Sequence, residues 1–235
     1  MGLTIHYTLS LKQDVSPGVI RELARRTADY ARKIGCARAS EPKRAEENED
    51  LAPFFFPVGK QKKNEGTFSG VGPKHGWLVE VWPGEGCESA EFGLCQYAKR
   101  VRIGGRHVAT GFKGGWQLQS FCKTQYAGQH GWEHFLKCHK QIISLLDFWR
   151  GLGVRVKVND EGGYWESRSE EKLRAELVGY DRLVAAMGGM FKDSGNGLTV
   201  ESPIFDYKNF ERLEHEGQKQ YGGKIRQFKQ LSGIK

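Results

Sequence analysis

The stretch GWEHFLKCHKQIISLLDFWRGLGVRVKVNDEGGYWE, residues 131–166, decides the fold. Its first half sets Trp132, Phe135, Leu136, Ile142, Ile143, Leu145, Leu146, Trp149 and Leu152 at helical spacing. That is more apolar surface than a stripe lying on a surface requires, and it predicts a central core helix. Gly151 and Gly153 end the helix. Val154–Val158 then alternates with period two, which puts the three valines inward and Arg155 and Lys157 outward. After it come two adjacent carboxylates, Asp160 and Glu161, a Gly162-Gly163 bend, Tyr164 and Trp165, and a third carboxylate, Glu166. This loop is the first candidate for a functional site.

Upstream of that core, Leu3–Leu11 has the cleanest alternation in the chain, with Leu3, Ile5, Tyr7, Leu9 and Leu11 on one face and Thr4, His6, Thr8 and Ser10 on the other. His6 is expected in solvent or hydrogen-bonded. Ser16-Pro17 reads as an N-cap followed by proline at the first helical position, and the helix ends at Gly35. Residues 36–76 form a polar, Gly-rich excursion, expected to lie outside regular structure. Within it, Pro53-Phe54-Phe55-Phe56-Pro57 is too apolar for water and should dock on the body of the domain. Trp77–Trp82 and Glu91–Ala98 read as strands. Val101–Ala109 is a hairpin whose Gly104-Gly105 suits a two-residue primed turn, and Trp116–Tyr126 is a further strand.

Downstream, Ser167 with Glu170 has the spacing of a capping box. The helix it would open carries Leu173, Leu177, Tyr180, Val184, Met187 and Phe191 as a seam, and Leu198–Glu201 reads as one short strand. The strongest elements run strand, helix, strand, strand, helix, strand. That order predicts an α+β fold on the ferredoxin-like, βαββαβ plan. Residues 36–76 would be a long insertion before strand two, and the hairpin with Trp116–Tyr126 an insertion after strand three. Residues 1–194 form the expected domain; residues 195–235 are a C-terminal extension, basic from Gly217. In such a plan Glu85, Glu88 and Glu91 should lie at the opposite end of the sheet from Asp160, Glu161 and Glu166. His107, Lys123, Gln125 and Tyr126 should lie at the Asp160 end.

No apolar run approaches the ~20 residues of a membrane helix, and the first residues lack the pattern of a secretory signal, so a cytoplasmic protein is expected. The five cysteines, Cys36, Cys87, Cys95, Cys122 and Cys138, contain no Cys-x-x-Cys pair and suggest reduced thiols. A zinc site drawn from Cys87, Cys95, Cys122 and His134 or Cys138 would lack closed-site spacing.

Three functional readings follow. A non-catalytic binding or interaction module is the first, with Asp160 and Glu161 merely capping a turn while Trp165 packs. A protein for nucleic acid or another phosphorylated or acidic partner is the second. It is favoured by the net charge of +8, by Lys219, Lys224, Arg226 and Lys229 in the tail, and by Lys123, Tyr126, Tyr164 and Trp165 as ligand contacts. The third is a metal-dependent hydrolase or transferase, in which Asp160, Glu161 and Glu166 hold a divalent ion and His107 serves as ligand or base.

Overall fold

The computed structural model describes residues 3–46, 52–62, 65–193 and 202–232. In chain order the strands and helices are β1 (Thr4–Leu11), α1 (Pro17–Lys33), β2 (Arg38–Ala39), β3 (Lys43–Ala45), β4 (Phe54–Lys62), β5 (Glu65–Val71), β6 (His75–Trp82), β7 (Ala90–Gln96), β8 (Arg100–Ile103), β9 (Arg106–Ala109), β10 (Trp116–Lys123), α2 (Trp132–Gly151), β11 (Arg155–Asp160), α3 (Tyr164–Ser167), α4 (Glu170–Asp193) and α5 (Phe210–Ser232). Short 3₁₀ helices occupy Gln125–His130 and Pro203–Asp206. The protein is α+β, and every strand pairing in its main sheet is antiparallel.

The main sheet runs β11-β1-β10-β7-β6-β2, with β3 also paired to β6. β1 sits between β10, from Thr4 opposite Lys123 to Leu11 opposite Trp116, and β11, where Ile5 lies opposite Asp160. This corrects one expectation. The Trp116–Tyr126 stretch, read as an insertion, supplies the strand next to β1, and the Glu91–Ala98 strand lies one place further out. The reason is the inward set of β10: Trp116, Leu118 and Cys122 are all buried and complete the core surface that β1 begins. Of the stretch read as that insertion, the β8–β9 hairpin does stay apart as a two-stranded sheet, turned at Gly104 (φ +54°) and Gly105 (φ +80°), as a primed turn requires.

α1 and α2 cover one face. α1 buries Ile20 together with Ala24, Thr27, Ala28 and Ala31, and the three alanines let it lie close on β6 and β7. α2 buries Phe135, Ile142, Leu145, Leu146 and Trp149, the apolar set that predicts it as the central helix. Tyr7 stacks on Phe92 beneath them, with ring centroids 5.1 Å apart.

The described parts of residues 36–76 are more regular than their composition suggests. β2 and β3 extend the sheet edge on β6, and β4 and β5 form a two-stranded ribbon. Phe54 and Phe56 are buried while Phe55 between them is 57% exposed, so strand alternation rather than a compact plug docks the segment. Phe54 packs on Tyr97 and Phe112, and the Tyr97 hydroxyl donates to the Ala52 carbonyl at 2.9 Å.

A second correction concerns α4. Arg168 has a left-handed backbone (φ +53°) that separates the short α3 from α4, so Ser167 ends one helix instead of opening the next. Ser169 is the cap, its Oγ accepting the Lys172 N–H at 3.1 Å. Leu173 and Leu177 join the main core, whereas Ala185 packs with Ile204, Tyr207 and Leu213 in a smaller one. α5 lies along α4. A Cβ on Gly217 would fall 2.1 Å from the Arg182 carbonyl oxygen, Arg182 Nε meets Glu216 at 2.7 Å, and Ile225 is buried. Leu198–Glu201 and the boundary at 194 lie outside the described residues, as do the side chains of Phe191, Phe228 and Leu231. Among the described residues no helix is long and apolar enough to cross a membrane.

Candidate functional site

The acidic loop begins with a carboxylate on the inward side of β11. Asp160 is buried, and its oxygens accept from His139 Nε2 at 3.3 Å, the Gly162 N–H at 2.9 Å and the Trp165 N–H at 2.8 Å. Burial alone would raise its pKa, but hydrogen bonding and charge interaction with His139, then the two backbone N–H groups, hold it below the ordinary aspartate value. His139 Nδ1 in turn lies 3.0 Å from Thr124 Oγ1. Hydroxyl, imidazole and carboxylate therefore stand in line. All three are buried, Tyr164 sits edge-on to the imidazole, and Leu173 closes over Gly162. This line fastens the end of β10, α2 and β11 to one another.

The other loop residues disperse. Glu161 Oε2 accepts the Thr4 N–H at 2.9 Å, Glu166 points to solvent, and Trp165 is flanked by the guanidinium groups of Arg150 and Arg168 at 5.1 and 4.8 Å. His107 lies on β9, in the segment that leaves β7 at the Leu11/Trp116 end of the sheet, opposite the Asp160 end. Glu88 does the reverse of what was expected. Its N–H donates to the Lys123 carbonyl at 2.9 Å, which brings it to the Asp160 end, because β10 rather than β7 pairs with β1 and so reverses the direction of β7. Lys123 and Tyr126 meet, with the ammonium 4.6 Å from the ring centroid. Lys219 and Lys224 are exposed on α5; the side chains of Arg226 and Lys229 lie outside the described residues.

The thiols are free. Cys138 Sγ lies 3.6 Å from His134 Nε2. A hydrogen bond from Cys87, then the charges of His134 and Lys137, outweigh burial and hold the Cys138 thiol below its ordinary pKa. Among the described residues no three His, Cys, Asp or Glu side chains converge as a metal site.

The residues that do converge lie on the sheet face turned away from the helices. The register sets Asn159 opposite His6 and His6 opposite Phe121, while Glu91 lies opposite Glu80 on the next pair of strands. The next outward positions bring Lys157, Thr8 and Gln119 abreast. Phe121 is 50% exposed, and its ring centroid lies 5.9 Å from that of His6. Above this floor a cleft of about 550 Å³ is walled by Ala52, Pro53 and Phe55 at the base of the β4–β5 ribbon. Glu91 and Phe121 also line an adjoining cleft of about 390 Å³ that reaches Lys43 and Glu80. Phe68, 62% exposed, lies opposite Pro57, on the same ribbon face as Phe55.

Sequence reasoning passes over this floor because its polar members look like an ordinary solvated strand face. One signal is present: Phe121 is an aromatic in the outward set Gln117, Gln119, Phe121, Lys123. The chain matches no protein-family model, no curated protein and no solved structure, so the site rests on its own geometry.

Proposed function

We propose that this chain is a non-catalytic binding module that takes single-stranded nucleic acid on the open face of its sheet. The observation that carries the reading is Phe121, half exposed beside His6 on the central strand pair and set in a cleft with a second exposed phenyl, Phe55, on its wall. Aromatic side chains lying on an open sheet are stacking surfaces for splayed-out bases, worth about 1–3 kcal/mol per base. Gln119 and Asn159 bring amide donors and acceptors to the same floor, and Lys157 and Arg155 bring positive charge for a phosphate backbone. The net charge of +8 acts in the same direction at longer range.

The element order supports a ferredoxin-like plan for the scaffold. β1, α1, β7, β10, α2 and β11 follow the sequence strand, helix, strand, strand, helix, strand, and their strands lie side by side as β11-β1-β10-β7. On that plan β1 and β10 are the two central strands, and β6, β2 and β3 are additions at one edge. The metal-dependent hydrolase reading draws no support from the acidic loop, where Asp160 and Glu161 are already engaged by His139 and by backbone N–H groups.

The test is fluorescence anisotropy with mixed-sequence single-stranded RNA and DNA of about 12 nucleotides, at about 50 and 200 mM salt. Wild type should bind, more weakly at the higher salt, and Phe121→Ala should lose roughly 5- to 100-fold in affinity. No salt-sensitive binding by wild type at micromolar protein would overturn the reading.

A further inference from the structure

The open-face platform contains one group whose chemistry the stacking reading leaves unused. Glu91 is half-buried where the two clefts join, and both clefts also count Phe121 among their walls. Its carboxyl pKa is raised, first by burial and then by Glu80 on the neighbouring strand. Glu80 has a guanidinium at hand, Arg38 at 3.8 Å, whereas Glu91 has no ion-pair partner among the described residues. A partly desolvated carboxylate without a donor is a standing cost to the folded protein. It is relieved by protonation at low pH or, at neutral pH and above, by something that brings a donor into the cleft.

We propose that Glu91 is the residue that reads the base stacked on Phe121, and that it selects bases carrying an exocyclic amine. This inference rests on the open-face reading above. An ionised carboxylate accepts hydrogen bonds and offers none, so it complements the N4 amine of cytosine or the N6 amine of adenine. Uracil presents the carbonyl O4 where cytosine presents N4, at nearly the same size and shape. In the pose that sets the C4 substituent against Glu91, the lone pairs of O4 would meet those of the carboxylate, and only a shift that brings the uracil N3–H round to Glu91 would relieve it. Sites built around hydrogen-bond polarity reject the mismatched analogue more strongly than sites built on shape alone. The cations stand at the ends of the groove, Lys157 on β11 and Lys43 on β3, where a strand crossing the sheet would carry its phosphates.

Cytosine and uracil homopolymers of about 12 nucleotides separate this polarity from stacking strength, since both bases are pyrimidines. Competition anisotropy at about pH 8, where neither base is charged and Glu91 is most ionised, should show oligocytidine binding about fivefold or more tighter than oligouridine. Glu91→Gln, checked for an unchanged melting temperature, should bring that ratio towards one, because an amide offers both a donor and an acceptor. Equal binding of the two homopolymers by wild type would overturn the inference and leave the platform reading intact. A wild-type preference that survives in Glu91→Gln would remove Glu91 from the role. If neither homopolymer nor the mixed-sequence oligonucleotide binds, it is the platform reading itself that fails.

Discussion

Asn159 and Asp160 are neighbours in β11, and they belong to two different regions of this molecule. Asn159 points outward with Lys157 onto the open floor beside His6 and Phe121; Asp160 points inward to His139 and the turn that follows. The acidic loop is the chemically loud part of the sequence, yet its first two carboxylates are consumed by hydrogen bonds within the protein. The open face is quiet in sequence and leaves exposed aromatics, amides and a carboxylate facing one cleft. A strand pleat sends successive side chains to opposite faces, so residue type and availability separate over a single position.

The largest effect is expected at Asp160. Asp160→Ala would strand His139 and the N–H groups of Gly162 and Trp165, and a loss of about 3 kcal/mol in unfolding free energy is expected. Oligonucleotide affinity, measured well below the melting transition, should not change. A denaturation midpoint equal to that of wild type would show that the loop is not the structural fastening described.

Phe121→Ala is the reciprocal case. The side chain is half in solvent, so stability should move by no more than about 0.5 kcal/mol while affinity falls. Urea denaturation checks the first half of the statement. A large destabilisation would mean that the ring serves packing and would weaken the contrast between the two regions.

Asp181 sharpens the comparison from a third place, the joint between the sheet and α4. Burial pushes its carboxyl up to about 6, and the hydrogen bond from Gln125 Nε2, at 3.1 Å, works against the shift. Because the folded-state value lies above the ordinary 3.8, the ionised form is penalised in the folded protein. This group therefore destabilises at neutral pH; stability is gained as pH falls through about 6, and the gain is complete near 3.8. Between about pH 7.5 and 5 the gain should be about 1–1.5 kcal/mol, and Asp181→Asn should show it already at neutral pH and flatten the profile. Equal pH profiles for the variant and wild type would remove Asp181 as its source.

The smallest effect is expected at Trp165, held between two exposed arginines. Trp165→Ala should cost about 1 kcal/mol or less in stability and nothing in affinity. A loss of oligonucleotide binding in that variant would move the ligand from the sheet face to the acidic loop.

Much of the scaffold was legible from pattern. The alternation of Leu3–Leu11, the apolar density of α2, the three valines around Arg155 and Lys157 and the Gly104-Gly105 turn are local signals, and each corresponds to an element. Strand neighbours were not legible. Whether β10 or β7 lies against β1 depends on which inward set completes the core surface, and both stretches alternate well enough to serve. That choice also moved Glu88 to the Asp160 end and left His107 at the other. Ser167 and Ser169 show the limit on a smaller scale, since only the left-handed turn at Arg168 decides which of them caps α4.

Local periodicity and composition are enough to set the class of the protein, the core helix, the outward-facing positions of β1 and β11 and the sign of the overall charge. Long-range packing is what spends Asp160 on His139 and sets Asn159, His6 and Phe121 abreast, with Glu91 at the edge of their cleft. Those four residues come from four strands far apart in the chain, and only antiparallel register, fixed by burial of the opposite face, brings them together.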